Sequence, residues 1–353
     1  MDRTRILLGT GGMILDPLLD LFRGRAVTIP PMDGALRPNT LLEESTVMRE
    51  AEEPDSLVRL KGQVLFASGK DIRRLTDGAT IVSFSETITA LAANADGALA
   101  AGLESGRVEA GGKSLDGFKC PVALAFGGPD ELYVCNGSES FAPSAWAADL
   151  MNGNSSGSVW RVNLKSGERT CLARNLAFPF GVAVDAANQR FIVSESWRHR
   201  VIGIPLQGGT PTELLGKLPG YPARIVASPS GYVLPLFAPR NRLIEFVLLE
   251  KDYREAMMRE IDPRYWIAPS LSAARSFLEP LQNGGVRSMG IHKPWSPSRS
   301  CGLVVELDTA LQPLASYHSR ANGTRHGITS AIMHDGAIIA ASKGSGAILR
   351  IMP

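Results

Sequence analysis

The chain has 353 residues but only four cysteines and five histidines. Cys120, Cys135, Cys171 and Cys301 never fall in C-x-x-C spacing. That excludes a zinc cluster and a dense disulfide framework, and it reads as buried, reduced thiols. His292, His318, His326 and His334 show neither H-E-x-x-H nor any other ligand spacing, so they read as turn or core residues and zinc is unsupported. No apolar run is long and uncharged enough to cross a bilayer: Asp16 and Asp20 interrupt the N-terminal one, and no small-residue cleavage site is obvious there. An integral membrane span is thereby excluded, and a cytoplasmic location is the default expectation. An excess of basic charge is missing as well. Lys plus Arg number 37 against 35 Asp plus Glu, with no basic run interleaved with aromatics, so nucleic acid is not an expected partner.

What the chain does have is 36 Gly and 23 Pro within a 44% apolar composition, which suits many tight turns, few long helices and a sizeable core. A Gly-led strand, a turn and a second strand ending near Arg or Lys recur along it. The units include Gly62–Leu75, Gly97–Val108, Arg190–Ile204 and Gly336–Ile351, with Glu131–Val162 and Gly231–Phe246 as longer versions. Strand pairs repeating at this interval form an array of small antiparallel sheets, none able to bury its own face alone. Closing the array into a ring leaves only short sheet edges. The predicted fold class is therefore all-β, a six-bladed β-propeller read as one domain over 26–353, preceded by a helical segment over 1–25.

In that N-terminal segment Ile14, Leu18, Leu19 and Phe22 fall near helical spacing, which predicts a helix packed on the body. Ala26–Ile29 reads as a strand that would clasp the ring shut. Asn94–Gly97 and His334–Gly336 carry type I′ hairpin signals. The rhythm breaks twice. An insertion at Ser138–Ser156 has room for a helical turn or two over Ala145–Met151. A longer one runs over 249–300, with a helix predicted at Glu250–Ile261 and stopped by Pro263. The remainder of that excursion, with Tyr265, Trp266 and Trp295, reads either as a lid or as the surface of a homo-oligomer.

Several segments resemble the strictosidine synthase-like proteins and, more loosely, the paraoxonase, gluconolactonase and regucalcin group of six-bladed propellers. They are Arg174–Ile204, Leu218–Ile225 (LPGYPARI), Pro54-Asp55-Ser56, Ile328–Gly336 and Val27–Asn39. The resemblance implies a central channel that, in the metal-dependent members, holds calcium on side-chain oxygens. Asp55 matches the first carboxylate. Val122-Ala123-Leu124, Phe180 and Ala223-Arg224 stand where the other ligands belong, and a hard cation cannot be coordinated by hydrocarbon and a guanidinium. No calcium and no other cofactor is expected. The general acid/base Glu of the strictosidine-forming members corresponds to Thr329, which cannot shuttle protons near neutral pH, so strictosidine formation is not expected.

Two readings of these substitutions stand: a channel merely filled with apolar packing, or a remade small-molecule pocket. In the second, Arg224 pairs with Asp55 or holds an anionic group, and Phe180 and Val122 form an apolar wall. The expected substrate-binding set is Asp55, Val122, Trp146, Phe180, Arg224 and Thr329, with no catalytic residue named. Trp146 and Asp149 either overhang the channel mouth or cap blade three. Trp197-Arg198-His199-Arg200 reads as a surface turn with stacked cation and aromatic side chains, tied to the ring by Glu195. Ser194, Glu195 and His199 are not expected to converge as a triad, because strand alternation separates them. Functionally the resemblance implies a hydrolase of the lactonase or arylesterase kind acting without calcium on a compact organic substrate. A non-catalytic binding protein and an interaction scaffold are the alternatives.

Overall fold

Hairpin follows hairpin because short apolar runs are cut by residues that accept a left-handed backbone. Asp335 and Gly336, at φ 49 and 70, form the two-residue turn between strands Ile328–His334 and Ala337–Ser342. Asn94–Gly97 differs from the expected type I′ turn. Only Gly97 is left-handed there, and the Asn94 side chain closes a longer loop by accepting the Ala98 N–H at 2.8 Å.

The computed structural model describes residues 29–274, 279, 284–288, 291–296 and 298–353. The expected helix over 1–25 and most of the expected strand Ala26–Ile29 lie outside these residues. Among the described residues the strands form six radial sheets of four or five strands, the blades of a propeller, and one separate hairpin, Gly284–Ser288 with Ile291–Ser296. The innermost strands of blades one to six begin at Pro54, Ile88, Pro121, Pro179, Gly220 and Ile328. Facing blades pack apolar side chains between them, as where Tyr133 of blade three meets Phe191 of blade four at 4.3 Å between ring centres.

The ring is clasped by Thr46–Glu50, which pairs antiparallel with Ala347–Ile351 as the outer strand of blade six. Of the expected clasp at Ala26–Ile29 only Ile29 is described, and it is not in a strand. Side-chain hydroxyls stitch neighbouring blades near the axis. Ser56 Oγ accepts the Leu91 N–H, Ser330 Oγ accepts the Leu57 N–H, and Ser194 Oγ donates to the Ala223 carbonyl at 2.6 Å. Among the described residues no helix is long and apolar enough to cross a membrane.

Both insertions contain the expected helical material, with one correction. Trp146–Met151 is helical in the blade-three insertion. In blade five, however, the strand Gly231–Pro239 is followed by a helix, Arg242–Leu249, where the repeat predicted a second strand. Asn241 caps this helix by accepting the Leu243 and Ile244 N–H groups, while Ile244 and Val247, one turn apart, are buried. A second helix, Lys251–Glu260, follows at once, and the third strand of the blade comes only at Leu303–Asp308.

From these helices a strap returns to the ring. The buried Arg299 donates to the Trp266 carbonyl at 2.6 Å, and the Ser270 N–H donates to the Arg299 carbonyl at 3.0 Å. Leu271 then presses its carbonyl against Gly344: a Cβ there would stand 1.7 Å from the Leu271 oxygen. Gly344→Ala is expected to push the strap away at a cost of about 1–3 kcal/mol. Chemical denaturation checks the loss, and a variant as stable as the parent would show that the strap is not pinned there.

Candidate functional site

Each innermost strand breaks its ladder near its second residue. Register shifts lie at Pro54/Leu57, Ile88/Ala90, Pro121/Ala123, Pro179/Gly181 and Ile328/Ser330. A bulge frees one residue from pairing and re-aims it. Asp55, Thr89, Val122, Phe180 and Thr329 occupy these five positions and all face one axial cavity. Blade five goes further. Its innermost strand is split into Gly220–Pro222 and Val226–Ser228, because the facing Pro235 accepts the Ala223 N–H but has no N–H to return. Across the split, the Arg224 N–H leaves its own blade for the Thr329 carbonyl of blade six. Gly181 makes room, since a Cβ there would lie 2.5 Å from the Ile225 nitrogen.

The Arg224 side chain consequently enters the axis, where the bulges have left carbonyls unpaired. Nε donates to the Val122 carbonyl at 3.1 Å and Nη2 to that of Thr89 at 2.6 Å. Nη1 donates to Asp55 Oδ1 at 2.5 Å and to the Thr329 carbonyl at 3.3 Å. The Phe180 ring lies 4.8 Å from the guanidinium carbon. One side chain therefore touches all five other blades. Lys343 takes the second Asp55 oxygen, Oδ2, at 2.8 Å. Burial pushes the Asp55 pKa up, but the Arg224 guanidinium and the Lys343 ammonium outweigh it and hold the carboxyl at about 2. The Thr329 hydroxyl turns towards this carboxylate and helps keep it charged, yet its buried Oγ1 makes no hydrogen bond of ordinary geometry.

These residues do not fit a calcium ion. The guanidinium already takes the Asp55 oxygen and the axial carbonyls, and Val122, Phe180 and Ala223 offer no side-chain oxygen. Among the described residues, no three His, Cys, Asp or Glu side chains gather as a metal cluster would require.

Above the Arg224 floor the cavity encloses about 400 Å³. All six residues expected at the site, Asp55, Val122, Trp146, Phe180, Arg224 and Thr329, line it. Its wall also includes Phe178, Trp197, Phe237 and Leu271, which the sequence did not point to. Trp197 corrects an expectation. It does not stack with cations on a surface turn but turns inward onto Phe178, ring centres 4.4 Å apart and 25° from parallel. Its indole N–H donates to Asp149 Oδ2 at 2.7 Å, so the blade-three insertion fixes the wall through Asp149 and supplies Trp146 directly. Phe178 holds a left-handed backbone, φ 58, which for a bulky side chain costs on the order of 1–3 kcal/mol and marks a position fixed by its surroundings.

Ser194, Glu195 and His199 do not converge. Ser194 is spent on Ala223, and Glu195 accepts the Ala177 N–H and ties down Arg198 and Arg200. His199 Nε2 lies 3.1 Å from Glu245. Burial lowers the His199 pKa against the pull of Glu245. All four cysteines are free, and burial raises the pKa of each. The Trp295 and His292 side chains lie outside the described residues.

At the opposite end the innermost strands leave a second opening of about 300 Å³, lined mostly by aliphatic side chains such as Leu57, Leu91, Leu124 and Ile332, with Arg59 among them. Arg224 thus faces an aromatic chamber on one side, and further along the same strands the channel is mostly aliphatic.

No curated protein sequence matches the chain. Among solved structures, a putative gluconolactonase shares 12% identity with a TM-score of 0.52, covering 88% of this chain and 91% of the other. A chain of a nidogen/laminin complex shares 18% identity with a TM-score of 0.43, covering 55% and 78%. A family profile described as strictosidine synthase matches residues 127–204, from the end of the first strand of blade three to the third strand of blade four. The comparisons thus show a six-bladed β-propeller whose segment 127–204 is similar to strictosidine synthase.

Proposed function

We propose that the axial cavity is a small-molecule site that works without a metal ion, its floor a tethered guanidinium and its wall aromatic. The observation that carries this reading is the Arg224 hub: one side chain fills the axis, satisfies the carbonyls of three blades and leaves an enclosed chamber above them. Asp55, Val122, Trp146, Phe180, Arg224 and Thr329 are its binding residues, Asp55 and Arg224 as the rigid floor. A carboxyl held at about 2 stays ionised at neutral pH and cannot act as a general acid there, which favours binding over amine–aldehyde condensation.

Lactone or ester hydrolysis, suggested by the likeness to a putative gluconolactonase, remains the second reading. One feature favours it: a carboxylate, Glu104, lines the cavity and is positioned there by accepting the Ser144 N–H through Oε1. The exposed Phe246 and Tyr253 on the blade-five helices, 51% and 52% accessible, are the surface a scaffold or oligomer would use. Metal-free protein should be screened by calorimetry against lactones, aryl esters and their stable analogues, with turnover followed in parallel. Binding lost in a Phe180→Asp variant that still folds is the expected result. If no compound binds and none is turned over, the cavity is packing only.

A further inference from the structure

The cavity floor carries an unbalanced positive charge. Arg224 and Lys343 both pair with the single carboxylate of Asp55, so the trio has one cation in excess. Arg224 cannot present that charge to a ligand, because its donors are aimed at Asp55 and at the carbonyls of Thr89, Val122 and Thr329. Lys343 can. An ammonium has three N–H donors; Asp55 takes one, and the side chain, 28% accessible, lines the cavity. Thr329, on the same carboxylate, adds a buried hydroxyl with no hydrogen bond of ordinary geometry.

Facing these donors is a wall of flat rings, Phe180, Trp197 and Phe237, suited to an aromatic body. Glu53 and Glu104 also line the cavity, which then holds three carboxylates against two cations, so the charge favourable to an anion is confined to the ammonium of Lys343 and suffices for one carboxylate at most. Resting on the reading of the cavity as a small-molecule site, we infer that its ligands are arene monocarboxylates, the ring system against the aromatic wall and the carboxylate on Lys343 and Thr329. Arg224 acts in this arrangement as a positioning residue, holding Asp55 so that Asp55 in turn aims Lys343.

Three probes on one ring system test this by calorimetry on the full chain: 2-naphthoate, its isostere 2-naphthamide, and the cationic 2-naphthylmethylamine. The naphthoate is expected to bind about tenfold or more tightly than the amide, the scale of one charge-assisted contact. Lys343→Met should remove most of the preference for naphthoate over the amide, and Lys343→Arg should keep it. If Lys343→Met fails to fold, the parent protein still decides: added salt should weaken naphthoate and not amide. Amide or amine binding as tightly as naphthoate would overturn the inference and leave the small-molecule reading standing. Binding of none of the three would overturn the inference alone, the small-molecule reading falling only if the lactone and ester screen is empty as well.

Discussion

Arg224→Ala is expected to lower the unfolding free energy by about 3–5 kcal/mol, the range seen when one partner of a buried charge network is removed. Three axial carbonyls lose their donor, and each buried acceptor left unpaired costs about 1–3 kcal/mol. Asp55 keeps Lys343, and water entering from the cavity relieves part of the loss, which is why the sum of the separate penalties is not reached. Arg224→Lys should rescue little. An ammonium preserves the charge on Asp55, but it lacks the planar fork that reaches Val122, Thr89 and Thr329 together. Urea denaturation at neutral pH measures both variants, and an unchanged dependence on denaturant would confirm that the same folded ring is being compared. A loss below about 1 kcal/mol, typical of an ordinary surface change, would mean that the guanidinium does not hold the axis.

Of the two roles the sequence suggested for this residue, the pair with Asp55 is the one seen, and the reason it extends to a hub is local. The sequence displays Arg224 where a family ligand would stand, but not the split between Gly220–Pro222 and Val226–Ser228 that turns its backbone towards blade six. The available signal was Pro235, a residue without an N–H inside a central strand. Blade number and the sharing of one axial level by Asp55, Val122, Phe180, Arg224 and Thr329 were legible, because repeat spacing and motif position fix them. Thr89 occupies the sixth equivalent position but sits in a segment with no motif, so nothing singled it out. Lys343, Trp197 and Phe237 reach the cavity from turns and second strands, where side-chain direction depends on tertiary packing and not on local pattern. The strand Thr46–Glu50 was not singled out because it is a less β-prone run than Ala26–Ile29, yet it lies directly before blade one and so can close the ring beside Ala347–Ile351.

Acid should unfold the ring through two buried carboxylates. Asp55 is held at about 2 against an ordinary 3.8, burial opposing and Arg224 and Lys343 prevailing. Glu245 is held at about 2 against 4.5, burial again opposing, with His199 and Arg240 prevailing. A carboxyl whose folded pKa is depressed stabilises the fold fully above its unfolded pKa and loses that contribution as pH falls through the folded one. The window therefore opens near 4.5 for Glu245 and 3.8 for Asp55 and closes near 2. The losses are roughly 2 kcal/mol for Asp55 and roughly 3 kcal/mol for Glu245, as upper bounds from their displaced pKa values. Denaturant titrations at intervals from pH 6 to pH 2 would show the fall, and Asp55→Asn and Glu245→Gln should each flatten their share of it, whatever their stability at neutral pH. A parent curve level across that interval would mean that the two clusters do not bear on folding. If the fall is present but Asp55→Asn leaves its slope unchanged, the acid sensitivity belongs to other groups, such as the buried His318, which burial holds at about 4, and the axial pair is not charge-stabilised.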